Sequence, residues 1–133
     1  MRGARMVAGE QLRVVLIEDS PIIRERLIES LTATGRIKVV GQADSERAAV
    51  AALAAGGWDA VILDLQLKQG TGLGVLKALG PVRPAGAKVI VLTNYAIPQY
   101  RDRSLALGAD YFFDKSREYD RVRNVLEELA GAR

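Results

Sequence analysis

Short runs of apolar residues recur five times along the chain, separated by longer amphipathic segments. The runs are rich in Val, Ile and aromatic residues, and the first, third and fourth are nearly continuous rather than alternating. Continuous apolar runs are typical of strands that are buried on both faces of a parallel sheet. We therefore predict strands at residues 12–17, 37–41, 60–63, 87–92 and 111–113.

Helical patterns with recognisable ends lie between and after these strands. Ser20 followed by Pro21 is typical of a helix start, and Gly35 closes that segment. The last helix is predicted to be capped by Ser116 and to place apolar residues on one face. The five helices are predicted to span residues 21–34, 46–55 after a cap at Asp44 or Ser45, 71–79, 98–107 and the segment that contains Val122, Val125, Leu126 and Leu129.

Five alternations of strand and helix predict an α/β fold, in which right-handed crossovers build an open parallel sheet with helices on both faces. We expect one domain over residues 12–133, preceded by a flexible extension over residues 1–11. Ligands of such sheets bind beyond the carboxyl ends of the strands. Residues at these ends are therefore the candidates for chemistry.

Composition narrows the chemistry that such a site can perform. The 133 residues contain no cysteine and no histidine, which excludes disulfides, thiol nucleophiles, Ser-His pairs and metal sites built on these ligands. The net charge of +3 comes from scattered basic residues, so we do not expect direct nucleic-acid binding. The apolar runs are too short for a membrane span and no signal peptide is recognisable, so a cytoplasmic protein is predicted.

Polar residues follow the predicted strands in a selective way. They are Glu18 and Asp19 after the first strand, Asp64 after the third, Thr93 after the fourth, and Asp114 and Lys115 after the fifth. A parallel sheet brings these side chains to one edge, where carboxylates held close together repel one another unless a cation offsets them. The sequence therefore predicts a cation at this edge.

A hard divalent ion suits this set of ligands. Mg²⁺, or Mn²⁺ in its place, prefers oxygen ligands and is usually held by one or two carboxylates together with phosphate oxygens. We expect Asp19 and Asp64 to be direct ligands and Glu18 to act through water. A backbone carbonyl just after Asp64, assigned to Gln66, would complete the protein's ligands, and Lys115 would supply a fixed positive charge opposite the metal.

The same residues carry a resemblance to a known family. The acidic pair after strand one, the segment 61–64 ending in Asp64, the segment 90–93 ending in Thr93, and the segment 108–115 ending in Lys115 occur in the order of the receiver-domain motifs. Over residues 12–129 the chain resembles the CheY-like receiver domain of bacterial two-component response regulators. The resemblance implies a flavodoxin-like, doubly wound sheet of five parallel strands in the order 2-1-3-4-5, with five helices.

The resemblance also implies roles. Asp64 would accept a phosphoryl group, in a Mg²⁺-dependent reaction, from a phosphohistidine on a sensor histidine kinase or a phosphotransfer protein. Lys115 would contact the phosphoryl group, Thr93 would be the switch hydroxyl and Phe112 the switch aromatic. The surface of the fourth helix, fifth strand and fifth helix would then signal to an output protein, and two phosphorylated copies could pair there.

Several positions depart from the common receiver pattern. Ser116 replaces a frequent proline, Phe112 replaces a frequent tyrosine, and Asn94 with Tyr95 adds bulk beside the site. We expect the bulk of Asn94 and Tyr95 to narrow access to Asp64 or to slow hydrolysis of the acyl phosphate.

Two other functions stay open at this point. A small phosphohydrolase can use an Asp nucleophile, Mg²⁺, Thr and Lys, but usually has a second Asp two residues after the nucleophile, where this chain has Gln66. A receiver-like interaction module that no longer accepts phosphate is the third. On the leading hypothesis the chain is no enzyme beyond its own phosphorylation and slow dephosphorylation, and it is either a stand-alone receiver or part of a longer regulator.

Overall fold

A computed structural model describes residues 11–132. Its single sheet has five parallel strands in the order 2-1-3-4-5, which confirms the predicted fold class and strand order. The strands are β1 (Leu12–Ile17), β2 (Ile37–Ala43), β3 (Ala60–Leu63), β4 (Lys88–Thr93) and β5 (Tyr111–Asp114). Of the predicted N-terminal extension, all but Gln11 lies outside the described residues.

Five α-helices connect and follow the strands. They are α1 (Pro21–Thr32), α2 (Glu46–Ala54), α3 (Gly72–Leu79), α4 (Pro98–Ala106) and α5 (Tyr119–Gly131), with a short 3-10 helix (Gly80–Val82) after α3. The side chains of Ser20, Ser45 and Thr71 each accept a hydrogen bond from a backbone N–H in the first turn of α1, α2 and α3. Such caps satisfy amide groups that have no partner inside the helix.

The sheet is buried on both faces because successive side chains of a strand point in opposite directions. Val15 and Ile17 of β1 pack with α2 and α3, whereas Val14 and Leu16 pack with α1 and α5. All four side chains are at most 2% exposed. This explains why the four positions from Val14 to Ile17 are all apolar, whereas Arg13 before them is exposed.

Strand β2 is longer than the predicted 37–41. The register between β1 and β2 shifts after Val14, so that Val39 and Gly41 pair with consecutive residues and Val40 is left without a partner in the ladder. Val40 is accordingly exposed. The extra residue at this bulge lets the strand continue to Ala43. The other strand boundaries differ from prediction by one residue at most.

The predicted cap at Ser116 is wrong. Helix α5 begins three residues later, at Tyr119, because a turn intervenes in which the backbone N–H groups of Arg117 and Glu118 donate to the Asp114 carbonyl. The Ser116 hydroxyl instead donates to Asp114 Oδ1 at 2.7 Å. Ser116 thus stabilises the turn between β5 and α5 rather than the helix itself.

None of the helices in the described range combines the length and apolar content that a bilayer span requires.

Candidate functional site

The register of the sheet brings the predicted site residues to one edge. Ile17, the last residue of β1, pairs with Leu63, the last residue of β3, so Glu18 and Asp64 begin the two adjoining loops. On the other side, Thr93 at the end of β4 pairs with Asp114, and Lys115 follows directly. The carboxyl ends of the strands therefore gather these side chains, as expected for a parallel sheet.

Three carboxylates form a cluster at this edge. One carboxylate oxygen from each of Glu18, Asp19 and Asp64 lies within 4.8 Å of the other two. Glu18 is 2% exposed and Asp64 is 4% exposed, whereas Asp19 is half-buried. Carboxylates are rarely buried without a partner, so the cluster requires compensating positive charge.

Lys115 supplies part of that charge. Its Nζ lies 2.7 Å from Glu18 Oε1 and 2.7 Å from Asp64 Oδ2. Burial lowers the pKa of Lys115, but the hydrogen bonds and charges of Asp64 and Glu18 outweigh burial and raise the pKa above its usual value. Burial raises the pKa of Glu18 despite the opposing hydrogen bonds from Lys115 and from the Ser20 backbone. The ammonium is therefore held charged between two carboxylates.

Backbone amides orient two of the carboxylates. The N–H of Ser20 donates to Glu18 Oε2 at 3.1 Å, and the N–H of Gln66 donates to Asp64 Oδ1 at 3.2 Å. Arg24 of α1 donates from Nη1 to the Glu18 carbonyl at 2.7 Å and so ties the acidic loop to the helix. Sequence reasoning missed Arg24, because an arginine in the first turns of a helix has the same pattern as a solvated surface residue.

This donor set fits a hard divalent cation. Three carboxylates and one ammonium leave two negative charges when all are ionised, and every candidate ligand atom is an oxygen. Mg²⁺ prefers oxygen ligands and is usually bound by only one or two carboxylates of the protein, with water filling other positions. Asp19 and Asp64 would hold the ion, with Glu18 nearby.

Of the remaining predicted residues, all but Phe112 lie at or near the acidic cluster. A cavity of about 310 Å³ lies over the carboxylates and is lined by Gln66, Asn94 and Tyr95 as well as the charged cluster. Thr93, at the end of β4, is fully buried, and its Oγ1 accepts a hydrogen bond from the Tyr95 N–H at 3.2 Å. Phe112 does not join the cluster but packs, partly exposed, against the core formed with α2 and α3.

A second and larger groove lies away from the carboxylates, over β5 and between α4 and α5. Its volume is about 810 Å³, and Phe112 contributes to its wall together with Arg101 and Arg121. This groove holds no part of the acidic cluster, so we place the chemistry in the smaller cavity.

Comparison with known proteins agrees with this geometry. Residues 14–127 match the model of the response regulator receiver domain. An uncharacterised response regulatory protein of Vibrio vulnificus (strain CMCP6) is 30% identical over 122 residues, which is 91% of this chain and 48% of that protein. The DNA-binding transcriptional activator DevR/DosR of Mycobacterium tuberculosis (strain ATCC 25618 / H37Rv) is 25% identical over 122 residues, 92% of this chain and 56% of that protein.

Solved structures of receiver domains have a similar fold. The signal receiver domain of the putative response regulator NarL from Mycobacterium tuberculosis superposes with a TM-score of 0.81 and 27% identity, covering 93% of this chain and 99% of that one. The chain spans about half the length of the curated relatives it matches. By its sequence, its strand order and its structural neighbours, this chain belongs to the response regulator receiver domain family.

Proposed function

We propose that this receiver domain accepts a phosphoryl group on Asp64 from a phosphohistidine of a sensor histidine kinase or a phosphotransfer protein. The observation that carries the proposal is the pairing of a buried Asp64 with Lys115 inside a cluster of three carboxylates, with the buried Thr93 at the end of the adjacent strand β4. Because the chain has no histidine of its own, the donor imidazole belongs to the partner. The domain therefore acts as an acceptor and a switch, with only its own phosphorylation and slow dephosphorylation as chemistry.

In the transfer, an oxygen of Asp64 forms a bond to phosphorus while the bond between phosphorus and the histidine nitrogen breaks. When bound, Mg²⁺ or Mn²⁺ would neutralise the negative charge on the oxygens of the phosphoryl group during transfer. The Lys115 ammonium, which now bridges Glu18 and Asp64, is close enough to Asp64 to pair with a phosphoryl oxygen instead. Positioning and charge carry such a reaction, and acid–base groups are not required.

The switch follows from the charge that the phosphoryl group brings. Phosphorylation adds acceptor oxygens beside Thr93, whose hydroxyl can donate to one of them. Movement of Thr93 would alter its contact with the Tyr95 N–H and so the loop that leads into α4. Phe112, at the wall of the larger groove, would turn into the space that Thr93 leaves.

Helix α4 is suited to such a change because it is weakly anchored. Ser104 is its one fully buried residue, and the Ser104 hydroxyl is buried without a hydrogen-bond partner. The first turn has no side-chain cap. We propose that an output protein, or a second phosphorylated copy of the chain, binds the α4–β5–α5 surface.

Location of the protein in the cytoplasm stays a prediction.

Beryllofluoride, a mimic of the phosphoryl group, tests the proposal. With Mg²⁺ it should shift the NMR amide signals of Asp64, Thr93 and Phe112 in the wild type, whereas Asp64→Asn should not respond. Asp120→Asn, an exposed carboxylate on α5, is the matched control and should respond as the wild type does. A wild type that binds Mg²⁺ but ignores beryllofluoride would favour the interaction module. Sustained turnover of a phosphate ester would favour the phosphohydrolase, in which Gln66 would have to replace an acid.

A further inference from the structure

Glu46, the first residue of α2, makes contacts with the loop that follows Asp64. Its side-chain Oε1 accepts a hydrogen bond from the Thr71 N–H at 2.9 Å. Its backbone N–H donates to the Gln69 carbonyl at 2.9 Å. Glu46 is half-buried and thus binds the same loop through both its backbone and its side chain.

Two glycines make room for the Glu46 side chain. A Cβ built at Gly74 would lie 2.5 Å from Glu46 Oε1 and 2.6 Å from Oε2. A Cβ at Gly70 would collide with the Glu46 Cβ, and Gly70 has a φ of +77° that disfavours other residues. The absence of side chains at Gly70 and Gly74 therefore leaves room for the Glu46 carboxylate.

The Glu46 carboxylate also completes the N-terminus of α3. Thr71 is the N-cap of this helix, and its hydroxyl accepts the Gly74 N–H at 3.1 Å. In a capping box, an acidic or amide side chain at the third helical position reaches back to the N-cap N–H. Here the third position is Gly74, which cannot do so, and Glu46 from another helix binds the N-cap N–H in its place.

Backbone contacts link Thr71 to the phosphoacceptor. Gln66 pairs with Thr71 in an antiparallel bridge, and the Gly72 N–H donates to the Leu65 carbonyl at 2.9 Å. The Gln66 N–H in turn donates to Asp64 Oδ1. A continuous set of short contacts thus runs from Glu46 through Thr71 and Gln66 to the Asp64 carboxylate.

We infer that Glu46 is a positioning residue for the Asp64 loop, one that holds the Asp64 carboxylate and the Gln66 backbone in the arrangement that binds Mg²⁺. This inference rests on the proposed function of the same site. Groups that orient metal ligands from outside the metal's own ligand set commonly affect metal affinity by about tenfold or more. A merely structural brace between α2 and α3 would instead change stability and leave Mg²⁺ affinity unaltered.

The test compares Mg²⁺ affinity in four forms of the full chain, measured by calorimetry and by the Gln66 amide signal. Glu46→Ala should weaken Mg²⁺ binding by about tenfold, since the loop loses its carboxylate anchor. Glu46→Gln keeps an oxygen acceptor for the Thr71 N–H and should stay within about threefold of the wild type. Arg47→Ala, which removes the exposed neighbour of Glu46 on α2, should match the wild type.

A rescue variant separates positioning from general loss of structure. Glu46→Ala combined with Gly74→Glu places a carboxylate at the third position of α3, in the space that Glu46 vacates, and should restore most of the Mg²⁺ affinity. Phosphorylation of Glu46→Ala by acetyl phosphate should need more Mg²⁺ but approach the wild-type rate when Mg²⁺ is saturating.

The outcomes distinguish this inference from the proposed function. If Glu46→Ala lowers the urea midpoint while its Mg²⁺ affinity stays within about twofold of the wild type, the positioning role of Glu46 is overturned. The proposal that Asp64 is phosphorylated would still stand. If the wild type itself neither binds Mg²⁺ nor accepts a phosphoryl group, the proposed function fails, and the positioning role fails with it.

Discussion

Replacing Lys115 with methionine tests the electrostatic account of the site. The substitution keeps an unbranched side chain, one atom shorter, and removes the ammonium that lies 2.7 Å from both Glu18 and Asp64. The three side chains are only 9%, 3% and 6% exposed, so they behave as a buried ion pair network and not as a surface pair worth about 1 kcal/mol or less. The variant leaves two buried carboxylates without their common partner.

The expected loss of stability is large for this reason. Removing one member of a buried ion pair typically costs about 3–5 kcal/mol, a considerable part of the roughly 5–15 kcal/mol that stabilises a domain. We expect a loss in this range for Lys115→Met at neutral pH without divalent ions. Because Lys115 lowers the Glu18 pKa, its removal should raise that pKa further. The loss of stability relative to the wild type should therefore become smaller as pH falls and Glu18 becomes neutral.

Urea unfolding in the presence of a chelator measures the loss, with Lys77→Met as control because Lys77 is exposed on α3. Mg²⁺ should then restore more stability to Lys115→Met than to the wild type, since the cluster has become more negative. A ligand at 100 times its Kd contributes about 2.7 kcal/mol. If Lys115→Met loses no more than Lys77→Met does, the reasoning about the buried charges is refuted.

Three further predictions concern residues around the site. Gly72→Ala should cost about 1–3 kcal/mol in urea unfolding and weaken Mg²⁺ binding, because a Cβ there would collide with the backbone carbonyl of Asp64. Ser104→Ala should stabilise the domain by about 1 kcal/mol, because it removes a buried hydroxyl without a partner and places a better helix former in α4. Ser116→Ala should raise the pKa of Asp114, measured by NMR titration, because the hydrogen bonds from Ser116 hold that pKa below its usual value.

Each of these predictions has a result that would contradict it. Gly80→Ala is the control for Gly72→Ala, since a Cβ at Gly80 has no neighbour within 4 Å, and equal effects of the two would argue against a collision. A loss of stability in Ser104→Ala would mean that the hydroxyl has a partner. An unchanged Asp114 pKa in Ser116→Ala would show that the Ser116 hydroxyl contributes little to the turn.

The elements that could be predicted from sequence are those in which burial determines the type of side chain. From Val14 to Ile17, β1 is buried on both faces, so each of these positions is apolar, and the run identifies the strand from its sequence alone. The carboxyl-edge placement of Asp64 and Lys115 followed from the parallel arrangement, while the strand order itself came from the resemblance to receiver domains.

What could not be predicted depends on contacts between residues far apart in the chain. The bond between Lys115 and Glu18 spans 97 positions, and that between Thr71 and Glu46 spans 25. The strand-end pattern places Lys115 and Glu18 at the same edge of the sheet but does not show that they bond to each other, and no pattern pairs Thr71 with Glu46. The cap at Ser116 failed for a different, local reason, since the Ser116 hydroxyl donates to the Asp114 side chain two positions earlier and the intervening turn delays the helix.

Mass spectrometry of the intact protein after incubation with acetyl phosphate and Mg²⁺ tests the central claim most directly. The account predicts that the wild type gains the mass of one phosphoryl group, that fragmentation places it on Asp64, and that Asp64→Asn gains none. A wild type that stays unmodified, or an Asp64→Asn variant that is modified to the same extent, would contradict it.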